Sequence, residues 1–205
     1  MAEHLAEPSL ADRHLYLVCD ATFDRVEDAL RGGVDILQLR DRTLTDSGLL
    51  ATARRLAALA HDHGALFFVN DRVDIALLAQ ADGVHVGQDD LEPRELRRLC
   101  GGELLVGRST HSREQIDALE DVDYFSAGPV HETPTKPGRA SVGHGLISYA
   151  AAQARLPWFA TGGIDLQTAP AIIAAGATRL VVVRAITEAE QPRLVARQLR
   201  QLLDP

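Results

Sequence analysis

The sequence predicts a single-domain α/β protein built as a closed (β/α)8 barrel, and three observations predict it. Short apolar runs of strand length alternate with helix-like segments eight times along 205 residues. Small residues close many helices before the next strand, as in Gly32-Gly33-Val34-Asp35, Ala81-Asp82-Gly83 and Ala175-Gly176-Ala177. No domain-sized linker or low-complexity stretch interrupts the alternation. An open doubly wound sheet is the alternative, but no Gly-x-Gly-x-x-Gly follows the first strand to support a dinucleotide site.

Residues 1–14 (MAEHLAEPSLADRH) are polar and lack the apolar core of a signal peptide, so they are expected to form a loosely held arm before a barrel spanning 15–205. Leu15–Cys19 is the first apolar run, and Arg25–Arg31 has helical spacing ending at Gly32-Gly33. In Ile36–Arg40, period-two alternation places Leu37 and Leu39 on one face and Ile36, Gln38 and Arg40 on the other. Thr45 or Ser47 can cap the next helix, which lines one side with Leu49, Ala53, Leu56 and Ala60 and stops at Gly64. Leu66–Val69 and Val84–Val86 read as strands around an Asp71–Gln80 helix, and Pro93 suits a first helical turn. Leu104–Val106 and Tyr124–Ala127 read as strands around a Ser112–Leu119 helix. The glycine- and proline-rich segment Gly128–Gly145 then breaks the rhythm. Helices Leu146–Ala154 and Thr168–Ala175 alternate with strands Trp158–Thr161 and Leu180–Val183, and a last helix, Pro192–Leu203, is expected to bury Leu194, Val195, Leu199 and Leu202.

Composition narrows the function classes. With 46% hydrophobic and 24% charged residues the chain is ordinary soluble protein, and no apolar run is long enough to span a membrane. Cys19 and Cys100 match neither a metal pattern nor a disulfide framework, so a reducing cytoplasm is the expected home. The net charge of −8 argues against nucleic acid or an anionic membrane as partner. An anionic ligand would therefore need cations gathered locally.

In such a barrel chemistry sits at the C-terminal ends of the strands. Those positions hold Gln38, Arg40 and Arg42; Asn70 and Asp71; Gln88 and Asp90; Arg108, Ser109 and Thr110; Thr133, Thr135, Lys136 and Arg139; Gly162 and Gly163; and Arg184. Cations, hydroxyls and amides dominate, as an anionic ligand demands. Asp71 and Asp90 end neighbouring βα units, so they either share a hard cation such as Mg²⁺ or cap the helices that follow. Arg40 is either a ligand contact or a rim arginine paired with an aspartate. The loop around Lys136 is either a working loop or a solvated one. Gly162-Gly163 allows close backbone approach near strands seven and eight, where barrels often bind phosphate. Among the histidines, His61 and His63 sit at a helix end, His85 reads as a hydrogen-bonded interior residue, His111 and His144 are rim residues, and His131 is held as a proton shuttle. No Ser-His-Asp or Cys-His arrangement follows from the spacing.

Taken together in order, Gln-Leu-Arg-Asp-Arg (38–42), Val-Asn-Asp-Arg-Val-Asp (69–74), Ala-Asp-Gly-Val-His-Val-Gly-Gln-Asp-Asp-Leu (81–91), Gly-Arg-Ser-Thr-His (107–111), Gly-Pro-Val-His-Glu-Thr-Pro-Thr-Lys-Pro-Gly (128–138) and Gly-Gly-Ile (162–164) resemble the thiamine-phosphate synthase family from about Leu15 to Leu203. The resemblance implies a single-domain TIM barrel, a transferase of thiamine biosynthesis. It implies joining hydroxymethylpyrimidine diphosphate to a carboxylated thiazole phosphate, with loss of diphosphate and CO₂ through a dissociative pyrimidine cation. It also implies Gln38, Arg40, Asn70, Ser109 and Lys136 on the pyrimidine diphosphate and Asp71 and Asp90 on Mg²⁺. Thr133, Thr135, Gly162 (with Gly163 beside it) and the Val183-Arg184 backbone would hold the thiazole phosphate. Two residues depart from the family pattern: Arg42 stands where lysine is usual, and Arg184 where serine is frequent. Small phosphorylated partners are expected, and a homo-oligomer is compatible with the sequence. The rivals are a thiazole tautomerase of the same superfamily, with His131 as acid and base, and a non-catalytic barrel that senses phosphorylated thiazole or thiamine phosphate.

Overall fold

A computed structural model describes residues 9–132 and 140–204. The described chain forms β1 (Leu15–Cys19), α1 (Val26–Arg31), β2 (Ile36–Leu39), α2 (Asp46–Asp62), β3 (Leu66–Asn70), α3 (Val73–Leu78), β4 (Gly83–Val86) and α4 (Pro93–Cys100). Then come β5 (Leu105–Thr110), α5 (Arg113–Asp117), β6 (Tyr124–Ala127), α6 (Gly143–Gln153), β7 (Trp158–Thr161), α7 (Ala169–Ala174), β8 (Leu180–Val182), α8 (Arg184–Thr187) and α9 (Pro192–Leu203). The strands pair in sequence order, all parallel, and β8 closes on β1. The predicted (β/α)8 barrel is the fold, with one short added helix, α8, that apolar periodicity over four residues could not reveal.

Strand alternation sorts the core into two layers. Leu15, Leu17, Leu37, Leu39, Phe67, Val69, Val84 and Val86 face outward and pack under the helices. Tyr16, Val18, Ile36, Leu66, Phe68, Tyr124, Phe159 and Val181 fill the barrel. Each buried side chain of this size stabilises the fold by about 1.5–3 kcal/mol. Tyr16 meets Phe68 and Phe159 edge-on, with ring centroids 5.7 and 5.4 Å apart. This aromatic floor needs Gly107, because a Cβ there would stand 2.1 Å from the Tyr124 ring. Above the floor the inward positions turn polar: Gln38, Asn70, His85, Ser109, Ser126 and Thr161.

An aspartate repeats at the foot of β2, β4 and β6. Asp35, before β2, accepts the backbone N–H groups of His14 and Leu15 at 2.8 and 3.0 Å. Asp82, before β4, accepts that of Phe67 at 2.7 Å, and Asp123, before β6, that of Val106 at 2.6 Å. Each carboxylate thereby stitches a strand to the preceding one and satisfies N–H groups at the barrel's lower rim.

Details differ from expectation at the ends. Residues 9–14 are not loose: Leu10 is buried against the barrel floor and Arg13 donates to the Gly64 carbonyl at 2.8 Å. In α9 the buried face carries Pro192, Ala196, Leu199 and Leu203, whereas Leu194 and Leu202 are exposed. The buried stripe is therefore rotated from the predicted one, because α9 packs on α1 through small Ala196. A Cβ at Gly32 would clash with that residue at 2.7 Å. Helix α3 is shorter than Asp71–Gln80, since Asp71 takes φ 62° and stays outside it. Helix α6 starts earlier than predicted, at Gly143. Thr45 caps α2 as expected, accepting from the Gly48 N–H at 3.3 Å.

Candidate active site

The polar top of the barrel opens into a cavity of about 490 Å³. The strand-end residues Gln38, Arg40, Asn70, Ser109, Gly162, Gly163 and Arg184 line it, and so does Val183. Arg42, Asp71 and Asp90 lie beside this lining. Thr133, Thr135, Lys136 and Arg139 fall outside the described residues.

At the end of β2, the Arg40 N–H donates to the Cys19 carbonyl at 2.8 Å, which fixes the side chain's origin. Burial holds the Arg40 guanidinium below its ordinary pKa, and Arg42 adds to this while Asp71 and Asp90 oppose it. Its Nε is buried and has no hydrogen-bond partner among the described residues. None of the ion pairs among the described residues uses Arg40, so the rim-pairing alternative is not what the fold adopts. The Arg40 side chain lines the polar cavity, where its guanidinium can donate charge-assisted bonds to an anion.

Asp71, just past the end of β3, lies in the left-handed region, and its N–H donates to the His85 carbonyl at 2.9 Å. Its carboxyl sits above the usual carboxylate range because of burial and then the adjoining Asp90, with Arg42 at 3.2 Å opposing. Asp90 accepts the Gly87 N–H at 2.7 Å. Neither carboxylate caps a helix: Arg72 and Glu92 occupy the N-caps of α3 and α4, without side-chain cap bonds. The two acids therefore confront each other at the rim, and an oxygen-seeking cation would relieve their repulsion. No cluster of three or more His, Cys, Asp or Glu residues suited to a metal occurs among the described residues.

The remaining rim is mostly backbone. Gly162 and Gly163 have φ of 102° and 64°, and Cβ atoms there would stand 2.4 Å from Pro129 and 2.7 Å from His131. Glycine is required twice, so that the loop after β6 can cross β7's end. The Val130 N–H then donates to the Thr161 carbonyl at 2.9 Å.

Some strand-end residues do not join the cavity. Arg108 faces the helices and forks onto Glu92 at 2.5 and 2.9 Å, because on β5 it alternates with inward Gly107 and Ser109. Conversely, Tyr16, Glu132, Asp165, Thr168 and Glu188 line the cavity without having been assigned there, and His111, read as a rim residue, joins them. Tyr16 was discoverable, since it shares the inward phase of its strand; the loop residues gave no such signal. His85 is the interior residue expected, bonded at 3.0 Å to both Tyr124 Oη and Ser109 Oγ.

Residues 15–186 match the family described as thiamine monophosphate synthase. The chain belongs to that family. A thiamine-phosphate synthase of Thermus thermophilus is 51% identical over 90% of this chain and 90% of its own length. One of Nostoc punctiforme is 49% identical over 93% of this chain, which spans only 56% of that longer relative. The solved thiamine phosphate pyrophosphorylase of Pyrococcus furiosus superposes with a TM-score of 0.86 at 28% identity, covering 93% of this chain and 95% of that one. No described helix is long and apolar enough to cross a membrane.

Proposed function

We propose that this chain is a thiamine-phosphate synthase, an enzyme of thiamine biosynthesis. It would join 4-amino-5-hydroxymethyl-2-methylpyrimidine diphosphate to a thiazole phosphate, releasing diphosphate, and CO₂ when the thiazole carries a carboxylate. The observation that carries this reading is that Arg40, in no ion pair among the described residues, lines one cavity together with Gln38, Asn70 and Ser109.

The paired acids Asp71 and Asp90 suit Mg²⁺, since they offer only oxygen donors and the Asp71 carboxyl is pushed up by burial and then by Asp90. Bound there, the ion would supply positive charge to the diphosphate. The chain's own residues do the rest. Arg40 holds the diphosphate oxygens by charge-assisted bonds that strengthen as negative charge develops. Gln38, Asn70 and Ser109 orient the pyrimidine so that its methylene C–O bond breaks with the electron pair going to the departing oxygen. The 4-amino group feeds electrons to the cation left behind, and the thiazole nitrogen captures it. The turn at Gly162-Gly163 and the Val183-Arg184 backbone face the thiazole phosphate, with Arg184 adding a cation. Lys136, Thr133 and Thr135 take the parts the family resemblance gives them, on the diphosphate and the thiazole phosphate.

Mixing the purified protein with both phosphorylated substrates and Mg²⁺ tests the reading. Diphosphate and thiamine phosphate appearing together, and stopping in EDTA, are the expected result. Isomerised thiazole alone would point to a tautomerase, and binding without turnover to a sensor.

A further inference from the structure

Two loops at the barrel mouth exchange charges in both directions. From the loop after β2, Arg42 pairs with Asp71 at 3.2 Å, just past β3. In return, Arg72 donates from Nη1 to Asp46, the first residue of α2, at 2.7 Å. The same guanidinium forks onto Asp74 in the first turn of α3, from Nε at 2.9 Å and Nη2 at 2.6 Å. Arg72 thereby ties the starts of two helices to the residue that follows Asp71.

The backbone between these pairs is bent tightly. The Arg72 N–H turns back to the Asn70 carbonyl at 2.7 Å, closing a three-residue γ-turn with Asp71 at its apex. Asp71 has φ 62° there, a strained conformation for a residue with a Cβ. Such a turn persists where its surroundings hold it. On the entry side, the Asp71 N–H donates to the His85 carbonyl at 2.9 Å. On the exit side, the Arg72 side chain grips Asp46 and Asp74. The turn brings the Asp71 carboxyl against that of Asp90, which the Gly87 N–H anchors at 2.7 Å. Two acids in contact repel each other, so their meeting needs a constraint from outside the pair.

We propose, resting on the reading of Asp71 and Asp90 as the Mg²⁺ pair, that Arg72 is the positioning residue for that ion. It braces the γ-turn through Asp46 and Asp74 and so keeps the Asp71 carboxylate facing Asp90. The side chains of Arg72 and Asp46 are 38% and 80% exposed, so their pair adds little to global stability. Its effect lies in where Asp71 stands. The sign of that effect separates a brace from a bystander charge. A guanidinium near a cation site repels the ion, so losing its charge alone would tighten binding. Losing a brace loosens it.

The probe is Mn²⁺, which takes the same oxygen ligands, titrated without substrate and followed by the EPR signal of the free ion. Wild type should bind it and Asp71→Asn should not. Wild type that leaves Mn²⁺ free would remove the acid pair as a metal site, and the proposal with it, whereas the turnover assay checks the synthase reading separately. With the site present, Arg72→Gln should raise the Mn²⁺ Kd roughly tenfold or more, as loss of a group that orients a metal ligand does. Its melting temperature should move by no more than about 4 °C. Asp46→Asn, at an exposed helix start, guards against a folding defect in the first variant. It too should weaken Mn²⁺ binding, and Arg72→Gln added to it should cost less than it does alone, since the two residues form one brace. An Arg72→Gln protein that binds Mn²⁺ as tightly as wild type, or more tightly, would overturn the proposal. Full additivity of the two substitutions would do the same.

Discussion

The Arg42 guanidinium reaches across to the Asp71 carboxylate at 3.2 Å, yet Asp71 remains harder to ionise than a free aspartate, because burial and Asp90 outweigh that cation. Two acids thus face each other at the rim, beside that cation.

Asp71→Asn should therefore stabilise the metal-free protein while disabling it. A carboxyl whose folded pKa is raised favours its protonated form in the fold. Its stabilising contribution is present at low pH and lost as pH rises through that value. At neutral pH the amide removes this conflict, so the melting temperature should rise. Condensation should fall by about a hundredfold or more. A lower melting temperature for the variant would count against the paired-acid account.

Arg40→Lys keeps the charge but loses the buried Nε donor and the planar fork. One charge-assisted bond is worth about 1.5–3 kcal/mol, so kcat/KM for the pyrimidine diphosphate should drop roughly 10- to 150-fold. The KM for the thiazole phosphate should barely move. Steady-state kinetics with each substrate varied in turn would check this, and equal losses on both would undo the assignment.

Asp35 gives a pH signature far from the site. Burial pushes its carboxyl up to about 6, against the N–H bonds from His14 and Leu15 and the nearby Arg200. Its protonated form favours the fold below about 3.8, and that contribution is lost as pH rises through about 6, costing at most about 3 kcal/mol. The difference in melting temperature between wild type and Asp35→Asn should change between pH 4 and 6 and be flat on either side. A difference that stays constant across that window would contradict the buried-carboxyl reading.

Much of this was legible along the chain. Period-two alternation in Ile36–Arg40 placed Gln38 and Arg40 inward, and both line the cavity. The same rule, carried through β5, would have sent Arg108 outward to Glu92 and kept Ser109 inside. In α9, by contrast, leucines at Leu194 and Leu202 read as core, because apolar character alone does not say which side of a helix a neighbour covers. Glu132 was not assignable to the cavity, since loop positions carry no phase.

The sequence by itself determined the barrel, its element order and most of the strand-end residues, because apolar periodicity and turn residues act over a few neighbours. Only the closed structure decided that Asp71 meets Asp90 beside Arg40, and that Gln38, Tyr16, Tyr124, His85 and Ser109 join across the interior. Such meetings depend on how far each strand is shifted against the next around the barrel, and that shift is a property of the whole ring, not of any segment within it.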